Sequence, residues 1–324
     1  MKLPRREFLR LAAAAMTLPA VPRNACADTY PSHPVRIVVG FAAGSTTDTL
    51  ARLMAQWLSQ RLGQQFIVEN RPGAAGNIGA EAVVKAEPDG YTLLMVPPAV
   101  AANGALYTHL NFDFVRDIAP VAGMVRLPNV AEVHPSLPVH SIPELVAYAK
   151  ANPGLSYASA GIGTPSHLAG QLFNVMTGAN LTNVPYRGDG PAMADLIAGQ
   201  IRVAFATSIA SIEHIRAGEL RPLAVTTAKR SELLPELPSV SEFVPGYETS
   251  SWFGMGAPKG TPADVIATLN REANAGLADV ALKTRLSNMG CMVLPGSAAE
   301  FGALIVSETN KWGKVIRDAG IKAE

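Results

Sequence analysis

Residues 35–58 read VRIVVGFAAGSTTDTLARLMAQWL, and residues 155–176 read LSYASAGIGTPSHLAGQLFNVM. Both stretches are built alike: an apolar strand, an uncharged turn of small residues, then a helix. In the first helix Leu50, Leu53, Met54, Trp57 and Leu58 fall at i, i+3, i+4, i+7 and i+8, which lays one apolar stripe against a sheet. The first four N–H groups of a helix lack an intrahelical partner and carry the positive end of the helix dipole. Two such termini facing each other would clamp an anion without any catalytic side chain.

Working outward, strand-like and helix-like runs alternate from Val35, the signature of parallel sheets covered by helices. Strands are expected at Phe66–Val68, Tyr91–Val96, Leu181–Pro185, Ile201–Ala206 and Leu220–Thr226. Between them, helices are expected at Ala80–Ala86, Pro191–Ala198 and Ile209–Arg216. Ser141-Ile142-Pro143-Glu144 reads as a capping box that starts a helix through Lys150. Thr261-Pro262 and Ser297 to Glu300 are helix starts in a terminal block with no partner strand, and that block must bury its apolar stripe on the first unit. The expected organisation is therefore a discontinuous domain of residues 28–127 plus 250–324 and a second domain of residues 128–249. The chain would cross between them near Val121–Val133 and Ser250–Pro258, both extended stretches without helical period.

Residues 1–27 are set apart from the fold. Lys2, Arg5, Arg6 and Arg10 form a basic start, Leu11 to Val21 is apolar, and Ala25-Cys26-Ala27 offers small residues at a cleavage site. This is an export signal, either of the twin-arginine type suggested by Arg5-Arg6-Glu7-Phe8-Leu9 or of the general secretory type. The apolar run is too short for a membrane anchor. Cys26 is expected to leave with the signal, which leaves Cys291 alone and no intramolecular disulfide possible.

The 324 residues are 48% hydrophobic and 16% charged with a net charge of +1, room for a sizeable core and two domains. No block of like charge provides a footprint for nucleic acid or an anionic membrane. Gly73, Gly76 and Gly79 are spaced GxxGxxG and follow Arg71-Pro72, so the context of a dinucleotide turn is missing. Neither GxxxxGK[ST], GxSxG nor HExxH occurs. The six histidines include no i,i+4 pair, which argues against a metal site. Ser166 and His167 are adjacent at the head of a helix, where neighbours point about 100° apart, so they form a poor nucleophile and base. Asp48 in the first turn of its helix reads as a cap and loop organiser. Arg187, just past a strand end, could reach a carboxylate or lie in solvent.

Val35–Leu53, VENRPGAAGNIGAE at 68–81, PDGYTLLM from Pro88, YASAGIGTPSHLAG from Tyr157, VPYRG from Val184, LAVTTAKR from Leu223 and KWGKVIRDAGIKAE from Lys311 together resemble the Bug proteins. These are the TctC-type extracytoplasmic solute receptors of tripartite tricarboxylate transporters. The resemblance implies an α/β, type II periplasmic-binding-protein fold whose two domains, joined by two hinge crossings, close on a solute. It implies a monomer in the periplasm that uses no cofactor, takes a small organic carboxylate and hands it to integral membrane transporter subunits. By position it assigns the solute to Phe41, Gly44, Ser45, Thr46 and Asp48 on one side. On the other it assigns Ser159, Gly161, Gly163, Thr164, Ser166 and His167, with Tyr186, Arg187 and Gly188 close by.

Two departures bear on specificity. The first loop carries Ser45 and Thr46 hydroxyls where family members often have prolines and a glycine run. Ala206 stands where many members have an aspartate suited to a ligand ammonium, so a carboxylate without an amine is expected. A receptor that reports to a membrane sensor, or a periplasmic enzyme using the same cleft, are the alternatives the sequence leaves.

Overall fold

A computed structural model describes residues 30–107, 109–231, 234–318, 320 and 321. Residues 1–27, expected to be an export signal and including Cys26, lie outside the described residues. Two sheets organise the chain. The first contains β1 (Val35–Val39), β2 (Phe66–Asn70), β3 (Thr92–Val96), β4 (Ile118–Leu127), β10 (Ser251–Pro258) and β11 (Met292–Val293), in the order β11-β4-β10-β3-β1-β2. The second contains β5 (Asn129–Val133), β6 (Ser156–Ser159), β7 (Thr182–Pro185), β8 (Val203–Thr207) and β9 (Arg221–Val225), in the order β7-β6-β8-β5-β9.

Both sheets are mixed, where the alternation of elements predicts parallel ones. β1 runs parallel to β2 and β3, and β6 parallel to β7 and β8. In contrast, β10 is antiparallel to β3 and β4, and β5 is antiparallel to β8 and β9. The antiparallel members are the strands at the crossings. A chain that passes straight from one sheet into the other makes no helical crossover, and the crossover is what forces neighbours parallel.

Helix α1 (Thr46–Leu62) shows why the opening stretch folds as it does. Ser45 caps it, its Oγ accepting from the Asp48 N–H at 3.3 Å, and Gly63 ends it in the left-handed conformation. Leu50, Met54 and Leu58 are fully buried against Ile37 and Val39, each removal from water contributing roughly 1.5–3 kcal/mol. The opposite face of β1 presents Val38 to Leu94 and Ala80, so the strand is buried on both sides. In the second sheet the aromatic side chains of Tyr157, Phe173, Phe205 and Tyr247 fill one face, while Ala158, Ala204 and Ala206 meet α7 (Asp189–Ile197) on the other.

The terminal block packs on the first sheet. Helix α9 (Ala263–Ala278) lies on β4 and α1, and α11 (Ala298–Asp318) on β4 and on α3 (Val100–Leu106). Ser297 and Glu300 form the reciprocal cap of α11. The cap of α5 (Ile142–Ala151) is shifted: the Glu144 carboxylate takes the N–H of His140 instead of that of Ser141. Cys291 is buried in the first core, where burial pushes its thiol up to about 12.

The two sheets meet at two crossings. The first shrinks to Pro128 between β4 and β5, and the second enters β10 at Ser251. Asn129 ties them together. Its Nδ2 donates to Phe205 O at 3.1 Å, its Oδ1 accepts from Ser251 Oγ at 2.7 Å, and its N–H donates to Thr226 Oγ1 at 3.1 Å.

Candidate functional site

Past the C-terminal ends of β1, β3, β6, β7 and β8 lies a cleft between the sheets, the position where open α/β sheets place their ligands. The first sheet supplies Phe41, Ser45, Thr47, Pro97, Pro98, Ala99 and Phe253. The second supplies Ala160, Thr164, Pro165, Ser166, Asp189 and Thr207. The cavity they enclose has a volume of about 20 Å³, room for roughly one water molecule. Ser45 caps α1 and Thr164 caps α6 (Pro165–Thr177), so the two repeated strand-turn-helix units place their helix N-termini on the same cavity from opposite sheets.

The α1 loop is braced from behind by Asp48. Its Oδ2 accepts from Gly44 N at 2.9 Å and Arg52 Nε at 2.8 Å, and its Oδ1 from Asn70 Nδ2 at 2.9 Å. Burial pushes this carboxyl up, but the hydrogen bonds from Arg52, Gly44 and Asn70 outweigh it and hold it below the usual value. Asn70 Nδ2 also donates to Phe41 O at 3.0 Å, fixing the end of β1. Asp48 therefore shapes the loop while its oxygens stay committed to the protein.

The α6 loop is braced in the same manner. Ser166 Oγ accepts from Ala160 N at 2.9 Å, and Thr164 Oγ1 donates to Gly161 O. His167 is 3% exposed, and its Nδ1 accepts from Gly163 N at 3.1 Å. Burial lowers its pKa to about 4, so the imidazole is neutral with its hydrogen on Nε2 and serves as a loop brace. Ser159, at the end of β6, is buried and its hydroxyl makes no hydrogen bond.

Of the remaining predicted residues, Gly188 sits at the junction itself, where a methyl group added to it would lie 3.5 Å from Ser45 Cβ. Tyr186 turns away, its hydroxyl donating to Asp195 Oδ2 at 2.6 Å, and Arg187 is exposed. Ala206 packs among Ala192, Met193 and Leu196 against α7, off the cavity wall. An acid not anticipated from sequence, Asp189, lies 8% exposed at the cavity wall. Burial raises its pKa, while the side chain and N–H of Thr46 oppose the rise.

Thr46 joins the sheets directly. Its Oγ1 lies 2.6 Å from Thr207 Oγ1, and its N–H donates to Asp189 Oδ2 at 3.4 Å. The wall residues not anticipated from sequence are Thr47, Pro97, Pro98, Ala99, Ala160, Pro165, Asp189, Thr207 and Phe253. Most follow the C-terminal end of a parallel strand, and that rule applied to β3, β7 and β8 would have reached Pro97, Asp189 and Thr207. Among the described residues the wall has no lysine or arginine, so an anion there would be held by N–H and hydroxyl donors. No three His, Cys, Asp or Glu side chains among the described residues are grouped to hold a metal ion.

Two lobes on separate mixed sheets, with a donor-lined cleft between them, define a two-domain solute-binding protein. The chain belongs to the tripartite tricarboxylate transporter family receptors, TctC, whose model matches residues 50–321. It is 36% identical over 300 residues to protein BugT of Bordetella pertussis, covering 91% of this chain and 92% of that one. An R. palustris protein solved with adipate is 40% identical, with a TM-score of 0.88 over 90% of this chain and 99% of its own. MatC from Rhodopseudomonas palustris, solved with bound malate, is 30% identical, with a TM-score of 0.85 over 89% and 100% of the two chains. As a member of that receptor family, the chain is a binding receptor and not an enzyme.

Proposed function

We propose that this receptor captures a small organic carboxylate in the cleft and delivers it to a tripartite tricarboxylate-type membrane transporter. It does so in the periplasm, as a monomer exported by residues 1–27. The observation that carries the reading is the pair of helix N-termini, capped by Ser45 and Thr164, that face one cavity from opposite sheets. Their N–H groups without intrahelical partners and their positive dipole ends suit a carboxylate, and the adipate and malate held by the two neighbours agree with that chemistry. The solute contacts fall to Phe41, Gly44, Ser45 and Thr46 in one lobe and to Ser159, Gly161, Gly163, Thr164, Ser166 and Gly188 in the other. Asp48 and His167 act behind them as braces.

The cavity of about 20 Å³ is too small for a dicarboxylate, so this arrangement is closed and a solute enters after the lobes part. Residues 28–127 with 250–324 and residues 128–249 would move as two bodies about the crossings, the solute favouring closure through contacts to both. A thermal-shift panel of organic acids tests the reading. A solute at 100 times its Kd adds roughly 2.7 kcal/mol of stability. Bulky replacements at Ser45 and Ser166 abolish that ligand-induced shift if the site is right, and a shift that survives both places the site elsewhere.

A further inference from the structure

Asp189 opens α7 in the second lobe, yet its Oδ2 accepts from the N–H of Thr46, the first residue of α1 in the other lobe. That N–H is one of the free helix-end donors that a bound carboxylate would take. Asp189 also lines two cavities: the small inner one and, on its far side, a larger one of about 410 Å³ bounded by Gly44, Thr46, Met193 and His214. The Thr46–Asp189 contact is thus part of the partition between them.

We propose that Asp189 is an internal competitor for the solute: its carboxylate occupies the α1 N-terminus in the unliganded protein and is displaced when a solute carboxylate takes the same donor. The inference rests on the carboxylate-binding reading given above. Its chemistry follows from the donor set. One N–H does not serve two carboxylates, and among the described residues the wall has no lysine or arginine to neutralise the pair, so the two anions exclude each other. At 3.4 Å the N–H contact is long for an N–H···O bond, and the Thr46 hydroxyl that also acts on Asp189 is shared with Thr207 Oγ1 at 2.6 Å, which makes Asp189 the weaker of the two competitors. A departing Asp189 regains water, which offsets the loss of its partner. The contact also bridges the lobes, so the same carboxylate that competes with solute helps hold the empty cleft shut.

The test uses the whole mature chain with adipate and malate as probes. Calorimetric titration compares wild type with Asp189→Ala and Asp189→Asn, and small-angle scattering compares their unliganded shapes. Removing the competitor raises affinity for a probe about tenfold in Asp189→Ala, equivalent to about 1.4 kcal/mol. The gain is smaller in Asp189→Asn, which keeps a neutral acceptor. Without solute the alanine variant has a larger radius of gyration than wild type. An alanine variant that binds a probe no tighter than wild type, or that keeps the wild-type radius without solute, overturns the proposal. Failure of all three proteins to bind either probe counts against the carboxylate reading instead, and the scattering comparison still decides whether Asp189 holds the cleft closed.

Discussion

Gly163→Ala separates closure from folding. Gly163 has φ +83°, and a Cβ placed there would lie 2.8 Å from Asn103 Oδ1 and 3.0 Å from Leu106 Cδ1, both in the opposite lobe. Asn103 cannot give way cheaply, because it is buried and its Nδ2 donates to Asn77 Oδ1 at 2.6 Å and Ala75 O at 3.3 Å. Two costs follow. An alanine in the left-handed region costs roughly 1–2 kcal/mol whether the lobes are open or closed. The collision exists only when they are closed, and overpacking of this kind costs about 1–3 kcal/mol. Gly154 is the control: it has φ +91°, is exposed and has no atom within 4 Å of the built Cβ. Opening the lobes relieves the collision, so in denaturant unfolding without solute Gly163→Ala should lose more than Gly154→Ala by no more than the closed form's advantage over the open one. In calorimetric titration with adipate, Gly163→Ala should bind up to about 5- to 150-fold more weakly than Gly154→Ala, the ratio set by a closure penalty of about 1–3 kcal/mol. Equal affinities would refute the reasoning, since they would mean that the solute-bound state does not bring Gly163 against Asn103.

Glu132 is fully buried on β5, one oxygen accepting from Ser211 Oγ at 2.8 Å and the other without a partner, and burial raises its pKa to about 8. The folded form keeps its proton up to that pH while the unfolded chain releases it near 4.5, so stability should fall as pH rises between those values, by on the order of 4 kcal/mol. Glu132→Gln, uncharged throughout, should flatten that decline in urea titrations run across the window, and an unchanged slope would clear Glu132 of the effect. Asp48→Ala strips the acceptor from Gly44, Arg52 and Asn70 and should cost roughly 2–3 kcal/mol in denaturant unfolding, with wild-type stability the refuting result.

Much of the fold was legible because its strongest signals are local. The stripe from Leu50 to Leu58, the cap at Ser297 and the small-residue turns before α1 and α6 each depend on a few neighbours in sequence. The direction of the crossing strands is not local. Whether β10 runs with or against β3 depends on where the chain re-enters the sheet after more than a hundred residues elsewhere, and apolar content does not encode that. The site divides in the same way. Ser45, Thr164 and Ser166 announce themselves by turn chemistry, whereas Pro97 and Thr207 reach the cavity only through the alignment of strand ends. Ala206 shows the opposite error, because alternation along β8 turns it toward α7 and sets Thr207 at the cleft.

The Asn129 junction constrains what kind of motion the receptor can use. Because its amide reaches Ser251 on the returning crossing while Phe205 anchors it within the second sheet, sliding one sheet past the other would break the Ser251 bond in a buried place. Twisting about the line from Asn129 to Ser251 breaks neither. In the closure proposed above, the junction would therefore act as a pivot that resists shear, and the cleft, set at the far ends of the strands, would travel the long arc of a small rotation.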